Sequence, residues 1–565
     1  MMEENEKHPV EQVNVSTPEG GLIEIPKGMK VKHLLPASHD ENGLPYLGVL
    51  LNNDVCSTEY PIDVNSKMEL LTFKNHDGIR IYRRSLTFLI AKAIQDLRPG
   101  AHFSAEHSLG TGYFCRYEDQ GEICNSQAQL DELEAQMNKL IAEDIPFRRY
   151  RISFEDAYHV LEKRGERDKL NLLRFRNPPK ITLFSLDDYY DHCIGVLAPS
   201  TGLVNKFKLI PYDLGFILQF PELNEGKLQI CPYIDQPHLH DIFVERKEWG
   251  KSIGIETVGD LNERIANKEH EGLVKTSEAF HEKKLSVIAD EISKRKDSLK
   301  YILIAGPSSA GKTTFSKRLA IHLQVNGFQP ITIECDNYFV NRKDTPLDSS
   351  GEYDFEHVDA LDLELFNKHL ADLADGKEVD MPTFNFPEGK QEFLGNTMKM
   401  NHDNIALIEG IHCLNPKMLE GVPREQIFKI YINNLTQLKL DNRQRISTTD
   451  VRLLRRMVRD ARTRGHSSLR TLQLWANVRS GETKWIFPFQ QESDATFNSC
   501  LDYELAVLKH FALPLLAEVK PFHKEYAETR RLQDFMEMLL PAPADKIPSN
   551  SLLREFIGGS DFHDD

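Results

Sequence analysis

Cysteine is scarce in this chain of 565 residues: there are eight, scattered, and no two stand as Cys-x-x-Cys. That pattern excludes a disulfide framework or a zinc ribbon and points to reduced thiols. No apolar run reaches the length of a membrane-spanning helix, so no membrane span is expected. Basic charge is in deficit, with 69 Lys and Arg against 86 Asp and Glu and a net charge of −17. The whole chain is therefore a poor candidate for nonspecific nucleic-acid binding, although a local basic surface stays open. The first residues, Met-Met-Glu-Glu-Asn-Glu-Lys, lack the apolar core of a signal peptide, so the cytoplasm is the expected compartment. Internal repeats and low-complexity tracts are absent. What is there is 40% hydrophobic, ordinary for a globular protein, and long enough for three or four domains.

The most informative stretch is Tyr301-Ile-Leu-Ile-Ala-Gly306-Pro-Ser308-Ser309-Ala310-Gly311-Lys312-Thr313-Thr314. It holds Gly-x4-Gly-Lys-Thr, the loop that cradles nucleotide phosphates. An apolar run from Tyr301 to Ala305 leads in as a buried strand. Phe315, Leu319 and Leu323 lead out at helical spacing, and Gly327 is placed as a stop. Gly306 and Gly311 would let backbone N–H groups approach phosphate oxygens with no Cβ in the way. The helix that begins near Lys312 offers unpaired N–H groups to an anion. Lys312 should neutralise β/γ-phosphate charge, and the Thr313 hydroxyl should hold Mg²⁺.

Five segments are expected. Residues 1–75 read as short strands and turns, with Pro18-Glu-Gly-Gly as a hairpin turn and Glu69-Leu-Leu-Thr-Phe73 closing a small β-rich module. Residues 76–225 read as mixed α/β, with helices at 85–97 and 127–143. Residues 226–297 read as a partly structured linker followed by a helix that starts at Ser277. Residues 298–540 alternate strands with helices, hence a parallel sheet. Residues 541–565 form a tail with an apolar patch at Leu552, Leu553, Phe556 and Ile557.

Within 298–540, the second strand ends at Cys335-Asp336-Asn-Tyr338. Ligands of open α/β sheets sit at the carboxyl ends of strands. Asp336 is thus placed to face a γ-phosphate and to orient an attacking hydroxyl. A third strand ends at Ile408-Glu409-Gly410, which makes Glu409 a Mg²⁺ or water-ligand candidate. Arg452, Arg455, Arg456 and Arg459 share one helix face, suited to a lid over a triphosphate.

Together these parts resemble uridine kinases of the phosphoribulokinase/uridine kinase family. The resemblance covers residues 299–500 and includes Tyr353-Asp-Phe-Glu-His-Val-Asp359 and Pro382-Thr-Phe384-Asn385-Phe386. It implies a nucleoside kinase that moves the γ-phosphate of ATP, with Mg²⁺, to a 5′-hydroxyl, most naturally of uridine or cytidine in pyrimidine salvage. Asp336 would be the base, with Lys312, Arg455 and Arg459 assisting the transfer. ATP would be held by Gly306, Ser308, Ser309, Ala310, Gly311, Lys312, Thr313, Thr314 and Arg456. Tyr338, Asp359, Phe384, Asn385 and Phe386 would join Asp336 around the substrate, and Thr313 and Glu409 would hold the metal. The family's Tyr-Asp-Phe is Phe384-Asn385-Phe386 here, so phosphoryl transfer carries over better than base choice. Another small alcohol, a phosphosugar, or an RNA-associated regulatory role for the nucleotide site remain alternatives.

Residues 13–73 resemble a TGS-type β-grasp domain. Residues 76–225 resemble the editing module of threonyl-tRNA synthetase through Arg83-Arg84-Ser85-Leu-Thr-Phe88-Leu and Asp191-His-Cys193-Ile-Gly-Val-Leu197. Arg84, Phe88 and Leu197 stand where that module has histidines; only Asp191 and Cys193 remain, so a hydrolytic site there should be inactive. Residues 1–225 are left either as a scaffold for RNA or protein or as a purely structural element. A homo-oligomer is expected. His238-Leu-His240 is read as incidental rather than metal-binding.

Overall fold

The computed structural model describes residues 11–348, 351–385, 387–401 and 403–562. Phe386 lies outside them. The chain forms two compact units, and it passes between them more often than the sequence boundaries suggest. One unit is Met1–Glu263 with Gln437–Ile446 and Leu516–Leu540; the other is Arg264–Thr436 with Ser447–Leu515 and Pro541–Asp565. The expected segment 298–540 is therefore interrupted at Gln437–Ile446 and gives up its last stretch, Leu516–Leu540, to the first unit, while the expected tail is part of the second unit.

The first unit opens with a five-stranded mixed sheet. Gln12–Ser16 and Leu22–Pro26 form a hairpin across the Pro18–Gly21 turn, where Gly20 takes φ +82°. Gln12–Ser16 also runs parallel to Ser66–Leu71, which pairs in turn with Gly48–Leu51. Alternate residues Val13, Val15, Val49, Leu51 and Met68 fill the core beneath. Next comes the helix His76–Leu97, longer than expected, then an antiparallel sheet that includes His102–Leu109, Gly112–Asp119 and Gly215–Gln219. The helix Gln127–Ala142 starts at a capping box made by Ser126 and Gln129. Strands Arg148–Ser153, Lys180–Leu186 and Tyr189–His192 form a separate sheet.

The expected linker is largely helical: Pro237–Ile253, Val258–Ala266 and His270–Ser293. Pro237 occupies the first turn, where its missing N–H costs nothing, and Gly254 closes the first of these helices at φ +68°. Ser277 is not an N-cap. It lies buried inside helix α1 (His270–Ser293), donating its hydroxyl to Asp502.

The second unit is built on strands β1 (Tyr301–Ala305), β2 (Gln329–Glu334), β3 (Asn404–Glu409), β4 (Ile427–Asn433) and β5 (Ala495–Asn498). All neighbours are parallel, in the order β2-β3-β1-β4-β5. Helix α2 (Lys312–Val325) follows the glycine loop and buries Phe315, Leu319 and Leu323, ending at Gly327. Helices α3 (Leu363–Ala374), α4 (Thr448–Thr463), α5 (Ser468–Trp485) and α6 (Glu504–Leu516) complete the frame. This is the α/β parallel-sheet fold expected of the segment. No helix among the described residues is long and apolar enough to cross a membrane.

Candidate active site

The glycine loop joins the end of β1 to the start of α2, and each glycine has a steric reason. A Cβ on Gly306 would stand 2.1 Å from the Ile432 carbonyl oxygen of β4. Gly311 takes φ +91°, and its Cβ would meet the Leu552 side chain at 2.5 Å. Close packing thus demands glycine at both positions, in addition to any approach of phosphate. Lys312 Nζ donates to the carbonyls of Gly306 at 3.1 Å and Pro307 at 3.4 Å.

Leu552 belongs to the C-terminal segment, which is buried structure. Leu552, Leu553 and Phe556 are all in the core, and the carboxylate of Glu555 accepts the Thr314 hydroxyl at 2.9 Å. Thr314 is therefore corrected from a phosphate contact to a residue whose side chain anchors the C-terminal segment.

Thr313 donates its hydroxyl to Glu409 Oε1 at 2.9 Å, while Glu409 Oε2 is buried with no partner among the described residues. Burial pushes the Glu409 carboxyl up to about 8, against the pull of Lys312 and the Thr313 hydroxyl. A buried, half-satisfied carboxylate beside a hydroxyl fits Mg²⁺, which keeps most of its shell for water and phosphate oxygens. No cluster of three or more His, Cys, Asp or Glu suited to a metal occurs among the described residues.

Helix α4 packs its arginines onto the loop, and this changes their reading. Arg452 is buried; it donates to the Ser308 carbonyl at 3.0 Å and pairs with buried Glu482 at 2.8 Å. Arg455 is fully buried, pairs with Glu504 at 2.6 Å, and donates to the carbonyls of Ser499 at 2.8 Å and Ser309 at 3.4 Å. Arg455 is thus corrected from a catalytic contact to a strut beneath the loop: an arginine already engaged by a buried carboxylate has no free fork for phosphate. Arg456 donates to the Ser308 hydroxyl at 2.7 Å and pairs with Asp460 at 3.2 Å. Arg459 also pairs with Asp460, at 2.8 Å, and keeps some solvent exposure. Ser309 holds φ +60° with its hydroxyl buried and unpartnered, and Ala310 is fully buried.

At the other wall, β2 ends at Glu334 and a short 3-10 turn carries Cys335 to Tyr338. Asp336 is exposed there. Tyr338 is not a substrate residue: it is buried, its hydroxyl lies 3.1 Å from His369 Nδ1, and its ring packs edge-on against Phe366. Phe384 is buried, with its N–H on Asn337 Oδ1 at 3.3 Å and its ring centroid 5.5 Å from that of Phe339. Asn385 turns inward on its own hairpin, accepting from the Glu388 N–H at 3.2 Å. Asp359 is exposed and pairs with Lys417 at 3.1 Å.

Glu356 lies within the Tyr353–Asp359 segment, and the resemblance implies no role for it. Burial pushes its carboxyl up to about 7; Arg456 and Lys312 pull it down, while Glu482 and Asp336 push it further up. Those four partners draw together the loop lysine, the lid-helix arginine and the candidate base. Gly481 of α5 makes room for Glu356, since a Cβ there would stand 2.2 Å from that of Glu356. The pairing of a glycine inside a helix with a distant turn is invisible in one sequence.

In the first unit, the positions expected to mark an inactive hydrolytic site are packed by neighbouring side chains. Arg84 is half-buried and donates to the Val196 carbonyl at 2.8 Å. Phe88 packs edge-on against Phe147 and Tyr189. Burial pushes the Cys193 thiol up to about 12, far from a nucleophilic thiolate. The segment Gln437–Ile446 then seals the place. Lys169 bridges Asp191 at 2.9 Å and Asp441 at 3.1 Å, Arg443 pairs with Glu166 at 2.7 Å and Asp191 at 3.2 Å, and the Gln444 side chain accepts from the Ile194 N–H at 2.7 Å. His240 pairs with Asp213 at 3.0 Å, away from any metal-like cluster.

Residues 301–506 match the Phosphoribulokinase / Uridine kinase family. They form a P-loop kinase domain of that type, with the nucleotide-binding loop at its first strand. The N-terminal region is similar to threonine–tRNA ligases. The one from Desulforamulus reducens is 30% identical over 199 residues, which cover 35% of this chain and 31% of the ligase. The chain thus spans about a third of the length of the curated relatives it matches. Among solved structures, a candidate fructose transport system kinase from Silicibacter sp. TM1040 aligns over 38% of this chain and 98% of its own, at 16% identity and TM-score 0.27. A possible uridine kinase from Bacillus stearothermophilus aligns over 36% of this chain and 89% of its own, at 15% identity and TM-score 0.25.

Proposed function

We propose that this chain is an ATP-dependent kinase that phosphorylates the 5′-hydroxyl of a nucleoside, uridine or cytidine first. The observation that carries the reading is the convergence of the loop lysine, the Thr313–Glu409 pair and exposed Asp336 at the carboxyl ends of β1, β3 and β2. The substrate hydroxyl is aimed by Asp336. Its oxygen bonds to the γ-phosphorus, the bond to the β–γ bridging oxygen breaks, and the proton passes to the Asp336 carboxylate. Lys312 neutralises charge on the transferring group. Thr313 and Glu409 would hold Mg²⁺, which when bound screens the phosphate charge. Arg452, Arg455 and Arg456 keep the loop carbonyls and the Ser308 hydroxyl in place, so the cradle is preorganised.

A second reading keeps the kinase and replaces the nucleoside with another small alcohol or phosphosugar. The Phe384-Asn385 pair favours it, because a buried ring and an inward-turned amide leave little to read a base edge. For residues 1–225 we favour a scaffold in the cytoplasm, with RNA or protein contact and self-association left to direct test. ADP release measured across nucleosides, free sugars and sugar phosphates, with Asp336→Ala as control, separates the readings. Stimulation by uridine or cytidine that Asp336→Ala abolishes supports the first. Stimulation only by non-nucleosides supports the second, and no stimulation by any alcohol removes both.

A further inference from the structure

Two side chains, buried His412 and half-buried Trp485, have no part in the phosphoryl transfer. His412 follows Glu409 by three residues, in the turn that leaves β3. It is fully buried, and neither ring nitrogen has a hydrogen-bond partner among the described residues. The indole Nε1 of Trp485, the last residue of α5, is likewise buried and unpartnered. His357 packs edge-on against Trp485, ring centroids 4.4 Å apart. The charges that act on His412 are those of His357, Asp359 and Lys312, so it lies within electrostatic reach of the loop lysine and the acidic turn.

Native interiors rarely leave such groups unsatisfied, and each case calls for an explanation. His107, in the other unit, shows the packing explanation. Its nitrogens are also unpartnered, but its ring is stacked on Phe243 at 4.0 Å and on Phe114 at 5.1 Å. Among the described residues His412 has no such ring stack. Burial lowers its pKa to about 4, so the imidazole is neutral, with one donor and one acceptor. That pairing matches an alcohol, which also donates and accepts.

Resting on the kinase reading, we propose that His412 is a specificity-determining residue of the acceptor site, hydrogen-bonded to the hydroxyls of a neutral polyol such as a ribose ring. Trp485 Nε1, whose ring packs against His357, is a further unpartnered donor. The acceptor held here carries no phosphate of its own: a neutral imidazole and an indole offer it no charge, and Asp359 opposes it.

The test compares His412→Leu with His412→Asn, which keeps a donor and an acceptor, using uridine and D-ribose as probes. His412→Leu should raise the acceptor KM about tenfold or more while kcat and the KM for ATP stay within about threefold, and His412→Asn should recover most of the loss. An unchanged acceptor KM in His412→Leu overturns the proposal. Imidazole ¹⁵N resonances of the wild-type protein, followed as millimolar uridine or D-ribose is added, give a readout without turnover. A shift confined to the resonances missing from His412→Asn supports the proposal even if no acceptor is phosphorylated, in which case the kinase reading alone fails. Absence of any shift with either probe overturns it, including where His412→Leu does not fold.

Discussion

Replacing Arg455 by alanine separates a strut from a catalytic arginine. The guanidinium and its partner Glu504 are both buried, joined at 2.6 Å and 2.7 Å, with a further bond to the Ser499 carbonyl at 2.8 Å. Removing one member of such a pair leaves the other charge buried alone, at a cost of about 3–5 kcal/mol. A folding unit of this size loses about 2–4 °C of Tm per kcal/mol, so Arg455→Ala should lower the transition of the kinase unit by about 6–20 °C. Replacing Arg455 and Glu504 together with leucines should recover much of that loss, because the stranded carboxylate is gone. A residue that merely touched phosphate in the transition state would behave in the opposite way, with little change in Tm and a large fall in kcat. Thermal unfolding followed by intrinsic fluorescence, alongside ADP release, reads both. A Tm within about 2 °C of wild type with a hundredfold lower kcat would refute the strut.

Further expectations follow from the same unit. Gly311→Ala places a Cβ at a left-handed φ and against Leu552, costing about 2–5 kcal/mol in total; Leu552→Ala in the same background should relieve only the crowding, as thermal unfolding of the pair will show. Folding raises the Glu356 carboxyl from about 4.5 to about 7, so the folded state binds more protons than the unfolded one between those values. Stability should therefore fall as pH rises through that window and level off above it. Glu356→Gln should remove this slope, so that its Tm advantage over wild type grows from pH 5 to pH 7; an advantage constant with pH would contradict the assignment.

Much of the kinase unit was legible because its signals are local. Strand, glycine loop and helix follow one another, and Asp336 and Glu409 sit at strand ends that apolar runs announce. The arginine face of α4 was legible as a face, but its burial was not, since Glu482 and Glu504, which neutralise it, lie 30 and 49 residues away. Tyr338 failed for a related reason: one residue's shift along a 3-10 turn decides whether a side chain meets solvent or core. The C-terminal segment read as a tail because its apolar patch is short, yet Leu552 and Glu555 meet Gly311 and Thr314 directly. The packing of Gln437–Ile446 against Lys169, Glu166 and Asp191 is a long-range pairing that no periodicity signals.

That ten-residue excursion also bears on how the protein can be cut. A fragment beginning near residue 298 would keep Asp441, Arg443 and Lys439 but lose Lys169, Glu166 and Glu106, the opposite charges they meet indoors. The kinase half is consequently not a removable cassette. Any shortened version, whether made in the laboratory or by gene loss, must first trim or neutralise this stitch.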